Sequence, residues 1–298
     1  MPFPLVFLPL VAQLDGTIGS ANPSSLPIEI IEKKENEARK RAQEEGQGYA
    51  QPMAPINRKG CMDLVQDDPQ GSADAARDAL QQAMGRERVR AGLCLGAALT
   101  QLEQFDEARE AFVGARDAAD PEDHVSRARL GDMAANAELA QGNGAKALLL
   151  LAPALTDAGA SGDKSLVAEV QIDRARGLVA VDQPEEAATA LVAAREADPA
   201  NAQAWLLSAT LSRRQNQLVA ASSQIQQAAR LAPQDPAIGL EAGVIAMLSK
   251  DEASARRSWQ SVVDVAPSSP EAATAKDYLA ETAPATPATS ASATKPQG

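Results

Sequence analysis

Aromatic residues, cysteines and histidines are scarce in this sequence, and no long apolar run is present; each shortage closes off a class of structure or chemistry. Aromatic side chains make up 3% of the 298 residues, whereas apolar residues of all kinds make up 45%, so the interior has to be built mainly from Ala, Leu and Val. Such a core suits closely packed helices, because Ala has the highest helix propensity and lets backbones approach. β-Sandwiches and barrels need short alternating runs of β-branched and aromatic residues between hairpin turns, and no such runs occur. The fold class is read as all-α.

The single histidine, His124, leaves neither a serine triad nor a zinc-hydrolase helix to assemble. It follows the acidic stretch Asp120–Asp123 and is read as a solvated loop residue. Two cysteines do not make a zinc site. Gly142, Gly144 and Ala147 spell GxGxxA, but this follows a helix rather than a strand, so it is read as a turn and not as a dinucleotide cradle. No enzymatic constellation and no cofactor are expected. The longest apolar run inside the array, Ala147–Ala152, is far short of the ~20 residues that span a bilayer, so the mature chain is read as not membrane-spanning. With 28 basic against 40 acidic residues the net charge is -12, which repels a phosphate backbone and argues against nucleic acid as a partner.

The flanks differ from the middle. Residues 1–21 open with an apolar block, Pro2–Ala12, followed by small residues ending in Gly19-Ser20-Ala21, and this is read as a secretory signal although no Lys or Arg precedes Lys33. The alternative is a mature segment that docks on the array. Residues 22–57 include the charge-dense stretch Glu29–Glu45, read as a solvated helix or spacer. Residues 282–298, rich in Ala, Thr, Ser and Pro, are read as a disordered tail.

Residues 58–281 repeat in phase. Ala187, Ala221 and Ala255 are each separated by 34 residues. A large residue follows four places on (Leu191, Ile225, Trp259), then a small or β-branched one (Ala194, Ala228, Val262), then a proline (Pro199, Pro233, Pro267). Earlier copies are Ala108, Phe112, Ala115 and Ala147, Leu151, Ala154. Twelve places before each central alanine sits another small residue: Gly96, Ala135, Ala175, Ala209 and Gly243. Small residues there let two helices of a hairpin pack closely, and prolines stop the second helix.

This pattern resembles the tetratricopeptide repeat, with Ala202–Asp235, including Trp205, as the nearest copy. The resemblance implies a right-handed α-solenoid of tandem helix-turn-helix hairpins with capping helices. Five units are placed at Val89–Asp123, Ala128–Gly162, Ala168–Ala200, Ala202–Asp235 and Pro236–Ser269, preceded by a degenerate unit at Cys61–Met84 and closed by a helix at Ser269–Glu281. The wider spacings among Ala108, Ala147 and Ala187 are read as longer connections between units.

Proteins of this kind bind peptides on the concave face, and the resemblance implies the same here: a scaffold for an unknown protein or peptide, exported to a bacterial periplasm or secreted, or alternatively a cytoplasmic adaptor. Extrapolating the register puts Arg129, Asp132, Asn136, Asp173, Arg176, Thr210, Arg213, Arg214 and Glu241 on that face. Co-chaperone members of the family clamp a C-terminal carboxylate with lysines and asparagines; Asn136 is present here without the lysines. Charge is uneven, with Glu103–Asp123 strongly acidic and Asn201–Gln234 carrying Arg213, Arg214 and Arg230 without any acid. Arg213 and Arg214 are therefore candidates to meet an acidic partner segment. Cys61 and Cys94, nearly one period apart, fall at comparable places in adjacent units and can form a disulfide in an oxidising compartment.

Overall fold

The computed structural model describes residues 61–282. The candidate signal segment, the spacer and the tail beyond residue 282 lie outside the described residues. The described chain is thirteen helices: α1 (Cys61–Asp67), α2 (Pro69–Leu80), α3 (Gly85–Gln101), α4 (Phe105–Ala118), α5 (His124–Ala140), α6 (Gly144–Ser161), α7 (Lys164–Ala180), α8 (Pro184–Ala197), α9 (Ala202–Arg214), α10 (Leu218–Leu231), α11 (Pro236–Leu248), α12 (Glu252–Val265) and α13 (Pro270–Glu281). No strand is present among them.

Five antiparallel hairpins follow one another, α3 with α4, α5 with α6, α7 with α8, α9 with α10, and α11 with α12. The first helices α5, α7, α9, α11 and the final α13 also touch in succession, whereas the second helices make no comparable contacts with one another. A layer whose members touch lies on the inside of a curve. The first helices therefore form the concave wall.

The turns inside the hairpins share one backbone geometry. Glu103, Gly142, Asp182, Asn216 and Lys250 all adopt positive φ, between 58° and 77°, five places before each central alanine. At each turn the next residue's N–H reaches back five places to a carbonyl near the end of the first helix, as from Gln104 to Leu99 and Asn216's neighbour Gln217 to Ser212, both at 2.8 Å. This left-handed stop satisfies carbonyls that the helix end would leave open. Only Gly142 takes that conformation without a steric penalty. The first helices start on polar caps: Asp123, Asp163, Asn201 and Asp235 each accept backbone N–H bonds from the first turn of α5, α7, α9 and α11.

Three of the expected unit starts are corrected, two of them by the caps Asp123 and Asp163 and the third at α3, which starts without a side-chain cap. α3, α5 and α7 begin one helical turn earlier than Val89, Ala128 and Ala168. The long spacings are also not long connections: α5 and α7 have 17 residues against 13 for α9 and α11, and α6 has 18 against 14 for α8, while only Gly162 and Asp163 separate α6 from α7. The extra residues propagate helix, since nothing in Leu148–Ala158 but the exposed Pro153 opposes it.

Packing within each hairpin is governed by the small position of the first helix. Ala135, Ala175 and Ala209 are buried and face hairpins whose large residues are Leu151, Leu191 and Ile225. Where that large residue is aromatic, the small one is glycine. A Cβ on Gly96 would fall 2.4 Å from a Phe112 ring carbon, and one on Gly243 would fall 2.1 Å from Trp259 Nε1. Trp259 is 1% exposed, donates to Leu240 O at 3.3 Å and stacks obliquely on Tyr278 of α13, which closes the array. Between the third and fourth hairpins, Trp205 donates to Pro199 O at 2.9 Å and lies under the Arg195 guanidinium, 4.6 Å from the ring centre.

This exchange of glycine for alanine gives a sign reversal to test. Gly96→Ala raises helix propensity by about 1 kcal/mol, but over-packing against Phe112 costs about 1–3 kcal/mol, so denaturant melts should show net destabilisation. In a Phe112→Leu background the same change should stabilise; equal effects in both backgrounds would refute the contact.

Candidate functional site

The inner wall carries its polar side chains at the junctions between hairpins. On α5, Asp132 and Asn136 are one turn apart and so share a face. On α7, Asp173 and Arg176 share the facing side. Asn136 Nδ2 donates to Asp173 Oδ2 at 2.7 Å and lies 3.4 Å from Asp132 Oδ2, and Arg176 donates to Asp173 Oδ1. Asp173 is buried, and Asp132 Oδ1 is closed off with no donor among the described residues. Burial, then the charge of Asp173, the hydrogen bond to it and the charge of Glu169 push the Asp132 carboxyl well above the ordinary carboxylate range, with Arg176 opposing. Glu169, also on α7, is raised by burial and by Asp163, Asp173 and Asp198, against the pull of Arg129.

Further along, Arg213 at the end of α9 donates from Nε to Glu241 Oε1 of α11 at 2.6 Å. Both side chains are largely buried, at 16% and 10% exposure. Arg213 is therefore engaged within the wall, and the expectation that it is free to meet an acidic partner alongside Arg214 is revised. Arg214 is exposed. Between α7 and α9 a shallow crevice opens, with Val179 and Leu207 in its lining and Arg176, Thr210 and Arg214 around them. Arg129 is exposed at the other end, 4.0 Å from Asp163. Of the residues placed on this face from sequence, the structure joins Asp132, Asn136, Asp173 and Arg176 in one network and Arg213 with Glu241 in another, and leaves Arg129 and Arg214 outward.

Two further charged clusters were missed by register reasoning. Glu138 of α5 is 2% exposed and is held by Arg109 Nε of α4 at 3.0 Å, Asn143 Nδ2 at 2.8 Å and, more distantly, Lys146 Nζ at 3.8 Å. Asp157 of α6 is buried where the first two hairpins meet. Arg116 of α4 reaches its Oδ2 at 2.7 Å, and Arg127 Nε and His124 Nδ1 of α5 lie 3.4 and 3.2 Å from Oδ1. Burial alone would raise this carboxyl, but the hydrogen bonds from Arg116 and His124 and the charge and hydrogen bond of Arg127 outweigh it and hold it below the ordinary range. His124 is accordingly not a solvated loop residue: it is the first residue of α5, half-buried against Asp157. Partners 30 to 41 residues apart leave no local signal by which this cluster could be found.

Cys94 of α3 is not a free thiol among the described residues, and α1, which begins at Cys61, packs on α3. No group of three or more His, Cys, Asp or Glu among the described residues is placed to hold a metal ion, and no described helix is long and apolar enough to cross a membrane.

No family model and no curated protein matches the chain. Solved structures do. PilW, a widely conserved type IV pilus biogenesis factor, aligns with TM-score 0.59 and 17% identity over 76% of this chain and 99% of its own. PilF of Pseudomonas aeruginosa aligns at 0.55 with 16% identity over 75% and 97%. BtubC from P. vanneervenii aligns at 0.54 with 15% identity over 80% and 100%. At these identities the likeness is one of fold, and that fold is the tetratricopeptide-repeat solenoid.

The depressed Asp157 carboxyl fixes a direction with pH. Its contribution is full above the unfolded-state pKa and is lost as the pH falls through the lower folded value. Asp157→Asn should therefore cost about 2–3 kcal/mol near neutrality, discounted from a fully buried pair because its cations keep some solvent. The difference from wild type should shrink in strong acid, as read by denaturant melts; a difference that does not change with pH would contradict the cluster.

Proposed function

We propose that this chain, a tetratricopeptide-repeat solenoid by fold, is a non-catalytic scaffold that binds an extended peptide or protein segment along its concave wall, and that it works in a bacterial periplasm. The observation that carries the reading is the inner layer of α5, α7, α9, α11 and α13, which touch in succession and present one surface over four hairpins and the closing helix. Each hairpin adds a strip to it, so length of contact rather than a single deep pocket supplies affinity. The side chains on that wall are largely satisfied by one another. They are held rigid in advance, which lowers the ordering entropy that binding has to overcome. At the crevice between α7 and α9, apolar Val179 and Leu207 lie among Arg176, Thr210 and Arg214, a combination suited to an apolar side chain next to an acidic one.

We further infer that Cys61 and Cys94 are paired. The packing of α1 on α3 and the absence of a free thiol among the described residues favour it, and a structural disulfide belongs to an oxidising compartment. The apolar block at Pro2–Ala12 fits the same setting as an export signal.

A photo-crosslinking amino acid at Thr210, on the inner wall, and another at Ser223, exposed on α10, separate this reading from a general sticky surface. Crosslinking in cells should yield a discrete adduct from position 210 and little from 223; equal yields would refute groove binding. Arg214→Glu should lower the adduct several-fold without loss of stability, whereas Arg213→Glu should lower stability by breaking its pair with Glu241. N-terminal sequencing of the same recovered chain, together with thiol labelling before reduction, reports on export: an intact residue 1 and two reactive thiols would exclude the periplasmic assignment.

A further inference from the structure

Asp132 and Asp173 are two acceptor groups brought together where the inner helices of the second and third hairpins meet. Asp173 takes the donors within reach, Asn136 at 2.7 Å on Oδ2 and Arg176 on Oδ1. Asp132 is left with Asn136 at 3.4 Å on Oδ2, while its Oδ1 is sealed from solvent with no donor among the described residues. If both carboxyls were ionised, a buried oxygen would stand beside a like charge with its hydrogen-bonding capacity unmet, and both conditions are unfavourable. One proton removes both. Protonated Asp132 becomes a donor, its O–H bonds to Asp173, and the repulsion is gone.

We propose that Asp132 and Asp173 form a proton-held clasp between α5 and α7, closed while Asp132 keeps its proton and loosened when it ionises. The charges facing Asp132 are consistent with this. From α7 come Asp173 and Glu169, both of which favour the proton, and Arg176, which opposes it; from α5 itself comes the neutral amide of Asn136, while Arg129 lies against Asp163. Burial and this acidic surround are why the carboxyl lies well above its ordinary range. The buried position of Oδ1 argues against the pair as a docking site for a cationic side chain, which would have to open the contact before reaching it.

The direction follows from linkage. A group whose folded pKa is raised contributes fully below its unfolded pKa, and that contribution is lost as the pH rises through the folded value. Asp132 therefore opposes Asp157, whose contribution is lost toward acid. Because α5 and α7 are neighbours in the inner wall, release of the clasp frees the angle between the second and third hairpins and so alters the concave surface. The inference does not depend on what that surface binds.

Thermal unfolding of the full chain from about pH 4 to about pH 9 tests it. Asp132→Asn supplies a permanent donor in place of the proton. Between the unfolded and folded pKa values of Asp132 the wild type should lose roughly 2–4 °C in Tm per pH unit relative to this variant, the gap should level off above the folded value, and the two should converge in acid. Glu169→Gln, which removes a neighbour but not the clasp, should keep most of the wild-type slope. Parallel wild-type and Asp132→Asn profiles overturn the proposal, and so does a slope abolished by Glu169→Gln alone. Should Asp132→Asn not fold, carboxyl 13C NMR of the wild type decides. The Asp132 resonance should titrate above the other aspartates and move down in Asp173→Asn, and an Asp132 midpoint in the ordinary carboxylate range overturns the clasp.

Discussion

Each hairpin closes on one contact, a large side chain of the second helix pressed against a residue of the first that has little or no side chain of its own. The five central alanines are fully buried, and the residues four places on, from Phe112 to Trp259, fill the space they leave. The distance between the two helices is set there. When the large residue is Leu or Ile the facing position tolerates a methyl group, and when it is Phe or Trp it tolerates none. The scarcity of aromatic residues and the abundance of alanine are two aspects of this requirement. An interior assembled from such close approaches leaves few voids and no room for a deep cavity.

If hairpins are closed by apolar contacts, their junctions are marked by charge. Asp157 and Glu138 join the first hairpin to the second and Glu241 the fourth to the fifth, each a buried carboxylate held by an arginine of the neighbouring hairpin, while the second and third are joined by Asn136 donating to Asp173, whose arginine, Arg176, lies on its own helix. Between the third and the fourth, the junction is instead Arg195 over Trp205. Buried ion pairs are weak sources of net stability, since desolvation offsets most of the attraction, but an unpaired buried charge is strongly unfavourable. At these places they select one register: a slip of a single residue would bury a carboxylate without its arginine. On the inner wall Asp173 is engaged with Arg176 and Arg213 with Glu241, whereas Arg214 stays exposed.

Asp132 and Asp157 show how position decides the behaviour of one residue type. Asp157 meets three basic side chains and stays ionised to lower pH; Asp132 meets two acids, one arginine and an amide, and holds its proton to higher pH. Opposite dependences in neighbouring junctions mean that the second hairpin is secured from one side in neutral solution and from the other in acid.

Periodicity in the sequence was enough to determine the hairpins, because the alanine, large-residue and proline positions are local to a unit and recur with it. At Ala202 and Pro236 its unit starts coincide with helix starts. It misjudged the starts of α3, α5 and α7, each a turn earlier than the repeat suggests, α5 and α7 on the caps Asp123 and Asp163, and the added residues lengthen helices rather than loops. Asp132, Asn136, Asp173 and Arg176, which it assigned to the concave face, meet in one hydrogen-bonded network in which Asp173 is buried. Which of those side chains neutralise one another, and that Arg213 is committed to Glu241 while His124 rests on Asp157, only the tertiary structure decided. Arg213 and Glu241 sit in separate hairpins and His124 meets Asp157 only where α5 packs on α6, so which charges come within reach depends on the angles at which helices and whole units stack.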